Sequence, residues 1–241
     1  MKRAFPILCI LTGILLSYAL SIALMPVVHI GGLTLIGAPT EQTMGDVQRI
    51  FYYHVPSAWT AFLLFFINFG ASVYYLIKRR PTADIVALVS AEVGVVFCTI
   101  VLVTGPIWAR PVWGIWWTWD MRLTSTLVLW LIYVSYLMLR RFSSSGQTPL
   151  LAAALAVLGA LCVPFVYFSI WFFRTQHPQP VMGGGGSIDP RMLHVLLINW
   201  LAFSCFAFLV CWSRYRLEKL QREVDEAHAL ESLREVPGRV R

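Results

Sequence analysis

The residues best suited to chemistry stand in one string, Thr104-Gly105-Pro106-Ile107-Trp108-Ala109-Arg110-Pro111-Val112-Trp113-Gly114-Ile115-Trp116-Trp117-Thr118-Trp119-Asp120-Met121-Arg122-Leu123-Thr124. Trp108, Trp113, Trp116, Trp117 and Trp119 are half of the chain's 10 tryptophans, too many for the interfacial belt that one or two at a span end would form. A belt also has no need of the order Trp-Gly-x-Trp-Trp-x-Trp-Asp, with glycines and prolines restricting the backbone around it. Such a string offers flat faces against which a planar ligand can stack, with indole N–H groups left for the ligand's polar edge. Arg110 and Arg122 stand towards its two ends, where guanidinium groups could clamp a carboxylate bidentately. Asp120 cannot join that clamp. It is expected to pair with Arg122 or to cap the helix that follows, whose first turn holds Thr124 and Ser125.

Two histidines flank the string at a distance. His54 lies in Phe51-Tyr52-Tyr53-His54-Val55-Pro56-Ser57, where Pro56 can open a helix because the first helical position needs no N–H. That reading puts His54 just off a span, at the membrane surface. His177 lies in Arg174-Thr175-Gln176-His177-Pro178, ahead of a glycine-rich stretch at 181–187 that would let it approach. A lone loop histidine is more often a solvated surface residue. Beside an aromatic platform, however, two imidazoles suit a metal in a planar macrocycle, because haem iron takes axial ligands from both faces. His29 is expected in a loop, His194 inside the bundle and His228 on the far side. The cysteines Cys9, Cys98, Cys162, Cys205 and Cys211 all fall in apolar runs, where thiols pack as small hydrophobes. No C-x-x-C or C-x-x-C-H occurs, so neither thiol exchange nor covalent haem attachment is expected.

The elements that must position these residues are dictated by lipid. With 58% hydrophobic residues, 13% charged residues and a mean hydropathy of +0.70, the chain has little wettable surface. About 20 apolar residues span a bilayer as a helix, and six uncharged runs meet that requirement, at about 5–28, 57–77, 85–103, 123–139, 150–173 and 192–212. The expectation is an all-α, integral membrane six-helix bundle over 1–212, with the tryptophan segment 104–122 between spans three and four. The first run is too long for a signal-peptide core and is expected to be an uncleaved span. Of the 19 basic residues, 14 fall at the N-terminus, in 78–84, in 140–149 and after Trp212, which places both termini in the cytoplasm. The segments 29–56, 104–122 and 174–191 then face outward. The net charge of +7 is mainly this topology signal and needs no nucleic-acid partner.

Glu92 in the third span is a functional candidate because burying a carboxylate is costly, although packing near Asn68 or Asn199 is the favoured explanation. The tail 213–241 carries Leu217, Leu220, Val224, Ala227, Leu230 and Leu233 at helical spacing, and reads as an amphipathic cytoplasmic helix lying on lipid or docking a partner. A second short amphipathic helix is expected at 41–51.

The string Trp113-Gly114-Ile115-Trp116-Trp117-Thr118-Trp119-Asp120-Met121-Arg122-Leu123-Thr124 closely resembles the "WWD" signature of membrane haem-handling proteins in cytochrome c biogenesis. Within that superfamily, six spans, the motif in the middle outer segment, His54-Val55-Pro56 and His177 resemble the haem exporter protein C (CcmC) family over nearly the whole chain. The resemblance implies non-covalent haem b as a transient cargo, held outside a bacterial inner membrane by the tryptophan segment with Asp120, Arg110 and Arg122. His54 and His177 would be the axial ligands of its iron. It also implies delivery to a periplasmic haem chaperone, CcmE, partnership with a small membrane subunit, CcmD, and with the ABC transporter subunits CcmA and CcmB, and no catalysis. The competing functions are a secondary transporter exporting haem and a membrane oxidoreductase with bound haem. An oxidoreductase would place its ligands inside the spans, and a transporter would show broken spans or polar groups near the midplane. Pro164 and Glu92 are the only hints of the latter.

Overall fold

The structure, a computed structural model, describes residues 4–30, 33–35, 37–143, 145–178 and 188–234. Among them, six helical stretches are long and apolar enough to cross a membrane: Phe5–Leu24, Asp46–Lys78, Pro81–Trp113, Met121–Phe142, Thr148–Phe172 and Pro190–Leu233. The helices are α1 (Ala4–Leu24), α2 (Phe51–Lys78), α3 (Pro81–Trp113), α4 (Met121–Phe142), α5 (Thr148–Ala160), α6 (Cys162–Phe172) and α7 (Pro190–Arg234). The protein is thus a multi-pass, all-α membrane protein, with one small addition. A short antiparallel hairpin, β1 (Val28–Ile30) and β2 (Leu33–Leu35), follows α1 and takes His29 into a strand.

Several helices run beyond the apolar windows, because a helix satisfies its own backbone in lipid and stops only where a residue ends it. A 3-10 turn, Asp46–Ile50, leads straight into α2, in place of the separate amphipathic helix expected at 41–51. Pro56 consequently lies inside α2 and does not open it. Pro81 does open α3, which continues through Pro106 and Pro111 to Trp113, so the first half of the tryptophan segment is helical. Gly114 ends it with φ 78°, a left-handed conformation suited to glycine, and its N–H bonds the Arg110 carbonyl at 3.0 Å. The fifth span is broken at Leu161 into α5 and α6. Pro164 has no N–H for the Ala160 carbonyl and its ring crowds that carbonyl, which accounts for the break. The amphipathic tail is not a separate helix but the second half of α7, whose 45 residues reach well past any bilayer.

Close packing of α2 on α3 forms the centre of the bundle. Gly94 permits it, since a Cβ there would stand 2.7 Å from Cε1 of Phe65. Phe65 in turn stacks on Tyr133 of α4 at 3.8 Å, and Asn68 donates to the Ala87 carbonyl at 2.7 Å. Asn199 of α7 donates to the Ala19 carbonyl at 3.1 Å, joining α7 to α1. Arg49 is buried and caps the end of α1, with bonds of 3.0 Å to the carbonyls of Ala23 and Met25.

Glu92 has a partner that the sequence did not suggest. Instead of packing near Asn68 or Asn199, its carboxylate takes both arms of Arg214 from α7, each at 2.8 Å. Arg214 and Arg222 share Glu218, and Arg222 reaches Asp84 at 2.9 Å, where Arg140 of α4 binds bidentately at 2.6 and 2.8 Å. This ionic network ties α3, α4 and α7 together near the start of α3. Its Asp84 lies roughly 30 Å along that helix from Thr104, at about 1.5 Å per residue.

Candidate functional site

Because α2 and α3 run antiparallel, the first turns of α2 lie beside the last turns of α3, and His54 meets Thr104 and Gly105 there. His54 is buried, in contrast to the surface placement its sequence suggested, because α2 begins at Phe51 and carries the ring into the bundle. His177 comes from the segment after α6 and faces it. The ring centres are 6.5 Å apart with an interplanar angle of 36°. Imidazole nitrogens hold transition metals at about 2 Å, so the two rings of an axial pair stand with centres roughly 6 Å apart. The observed separation fits that requirement.

The hydrogen bonds around each ring determine which nitrogen is available. Nδ1 of His177 lies 2.9 Å from the Pro178 carbonyl, which can only accept, so Nδ1 carries the proton. Nδ1 of His54 lies 2.9 Å from Oγ1 of Thr104, whose own proton goes to the Ile100 carbonyl at 2.7 Å. The threonine must therefore accept, and His54 also carries its proton on Nδ1. Both rings are left with Nε2 lone pairs for a metal, and the bonds on the other nitrogens hold the rings in place. Burial, reinforced by the Arg122 charge, lowers the pKa of His177 to about 4, which keeps it neutral at physiological pH.

An open cavity lies beside the pair. Its walls include Phe62, Trp113, Trp117 and Val166, with Gly105 leaving space beside His54. Trp108 meets the His54 ring edge to face at 5.8 Å. Nε1 of Trp108 and of Trp117 is buried without a hydrogen-bond partner among the described residues. Unpaired donors on an otherwise apolar wall are what a planar ligand with a polar edge would satisfy.

The sequence-predicted residues divide into two groups. His54, His177, Trp108, Trp113, Trp117 and Arg122 line the cavity. Trp116 and Trp119 are 59% and 76% exposed and do not line it. Arg110 folds back onto the Gly114 carbonyl, so only Arg122 of the expected clamp stands at the cavity, where it also donates to the Tyr167 carbonyl at 3.3 Å. Asp120 caps α4, its Oδ1 accepting from the Leu123 N–H at 3.0 Å, as its position before Thr124 suggested. Thr104 and Thr175 went unnoticed in the sequence. Thr175 lies two residues before His177, a spacing at which a hydroxyl can accept the downstream backbone N–H, and that was the available signal.

Fold and site together define a multi-pass membrane protein that brings two imidazoles together beside an aromatic cavity at one end of its bundle. The family model described as heme exporter protein C (CcmC) matches residues 4–230, and the chain belongs to that family. It is 34% identical over 200 residues to the heme exporter protein C of Bradyrhizobium diazoefficiens, covering 82% of this chain and 76% of that protein. The protein of the same name in Escherichia coli K12 is 33% identical over 204 residues, covering 84% and 81% of the two chains. A ccmC-like mitochondrial protein of cytochrome c biosynthesis in Marchantia polymorpha is 34% identical over 173 residues, or 71% and 72% of the two.

Proposed function

We propose that the protein binds haem non-covalently between His54 and His177 at the outer face of the cytoplasmic membrane and presents it to the periplasmic chaperone CcmE for cytochrome c maturation. The observation that carries this reading is the approach of the two imidazoles, with ring centres 6.5 Å apart and each Nδ1 engaged in a hydrogen bond. Trp113 and Trp117 provide an aromatic wall, the indole N–H groups of Trp108 and Trp117 provide donors, and Arg122 provides a cation for a carboxylate. Haem is cargo in this reading, and no residue is assigned a catalytic step. The names of the relatives, which refer to heme export and cytochrome c biosynthesis, support the same cargo and pathway.

The outward orientation rests on the basic residues. The segments read as external hold only 5 of the 19, and four of these have local acceptors: Arg49 the α1 carbonyls, Arg110 that of Gly114, Arg122 that of Tyr167, and Arg191 the Asp189 carboxylate. CcmD, CcmA and CcmB complete the proposed assembly, with the second half of α7 in the cytoplasm. Of the two hints of a transport path, Glu92 is paired with Arg214, while Pro164 accompanies a real break in the fifth span.

Vesicles with haem supplied on one side provide the test. Transfer to external CcmE from external haem, with none from internal haem, is the expected result. Equal transfer from internal haem would favour a path through the bundle instead. The proton balance of His177 makes a second prediction. An ordinary histidine would lose its ligand role as pH falls through about 6.5, whereas His177 takes up a proton only near 4, and bound iron lowers that point further. The spectrum of two-nitrogen haem should therefore persist from pH 8 to about 5, and an absorbance titration with a midpoint near 6.5 would contradict the neutral, half-buried ring.

A further inference from the structure

Asp120 lines neither cavity beside the histidines, yet its carboxylate lies at the centre of a chain of hydrogen bonds that ends on one of them. While Oδ1 caps α4, Oδ2 accepts from the hydroxyls of Thr118 at 3.0 Å and Thr175 at 2.9 Å. Thr175, having given its proton to Asp120, accepts the backbone N–H of His177 at 3.1 Å. The bond from His177 to Pro178 is to its own neighbour, so it sets the tautomer but cannot anchor the segment. Among the described residues, the hydrogen bond that ties 173–178 to another helix is the one between Thr175 and Asp120.

We infer that Thr175 is a positioning residue for His177, and that the aspartate of the tryptophan segment acts on the ligand through it rather than by touching the ligand. The physical need is clear. His54 is held by a helix, but His177 stands on a segment outside α6 and α7, where a ring kept in axial register must be tied to something rigid. Asp120, fixed by the first turn of α4, is that anchor. The arrangement also couples the two segments mechanically. Trp116 and Trp119, the exposed indoles, belong to the turn that ends at Asp120, so a displacement of that turn pulls on Thr175 and on His177.

This inference rests on the proposed ligation by two histidines, and the experiment separates the two. Full-length protein is purified in detergent with haem, and its optical spectrum and rate of haem loss to a soluble scavenger are measured for Thr175→Val, Thr175→Ser, Thr118→Val, Asp120→Asn and His177→Ala. Thr175→Val should speed haem loss about 10-fold or more, the usual effect of removing a partner behind a metal ligand, and shift the spectrum towards a single nitrogen. Thr175→Ser restores the hydroxyl and should restore both. Thr118→Val removes the other hydroxyl from the same oxygen and should behave as wild type. Asp120→Asn keeps a carbonyl to cap Leu123 and offers an amide N–H that Thr175 Oγ1 can accept beside the His177 N–H, so it should retain haem better than Thr175→Val. A Thr175→Val protein that retains haem like Thr118→Val overturns the positioning role alone. An unchanged spectrum in His177→Ala overturns the ligand assignment and the inference with it.

Discussion

The His54→Ala, His177→Ala double variant should purify folded but with its haem signal abolished, and each single variant should retain haem on one protein nitrogen and lose it far faster. Partners behind a ligand are worth about 10- to 100-fold in metal affinity, so removing a ligand itself should cost on the order of 100-fold or more. Folding should survive the change at position 54, because the Thr104 hydroxyl keeps its bond to the Ile100 carbonyl once the imidazole is gone. His194 and His228 line neither cavity, and their alanine variants should match wild type in spectrum and in haem content. Added imidazole should restore the two-nitrogen spectrum to each single variant. A double variant with an unaltered spectrum would show that the iron is held elsewhere.

The second large effect is on stability, at the opposite end of the bundle. Asp84 is only 3% exposed and answers two guanidinium groups, Arg140 bidentately and Arg222 at 2.9 Å. Removing a partner from a buried ion pair leaves an uncompensated charge, and Asp84→Ala should therefore destabilise the protein by on the order of 3 kcal/mol. The Arg140 side chain is 9% exposed and carries most of that penalty, while Arg222, a third exposed, can turn to water. Adding Arg140→Met to Asp84→Ala should recover much of the loss, because an apolar pair no longer needs charge balance. Thermal midpoints in detergent measure this. The spectrum of bound haem below the transition should not change, given the length of α3 between the two regions. If Asp84→Ala melts with wild type, the network contributes nothing to holding α4 and α7 on α3.

What could be read from the sequence follows from the range of the forces involved. The six spans were legible because lipid requires about 20 apolar residues in a row, and each requirement is met within one stretch of chain. The capping role of Asp120 was legible for the same reason, since cap and capped N–H are three residues apart. The limits of α2 and α3 were not, because Pro56, Pro106 and Pro111 resemble helix ends in sequence but are tolerated where the helix continues on both sides. Arg110 and Arg122 were indistinguishable as candidate clamps. Only the path of the backbone at Gly114 turned one back on itself and left the other beside the cavity.

Sequence alone determined that the chain is a membrane bundle with a tryptophan-rich segment between its third and fourth spans and two histidines as candidate ligands, because hydropathy, capping and motif order are local properties. Tertiary structure decided that the two imidazoles meet with ring centres 6.5 Å apart, that Glu92 and Arg214 neutralise one another, and that Thr175 links Asp120 to His177. Each of these joins residues far apart in the chain. No local pattern encodes such a pairing, which arises only when packed helices bring their ends together.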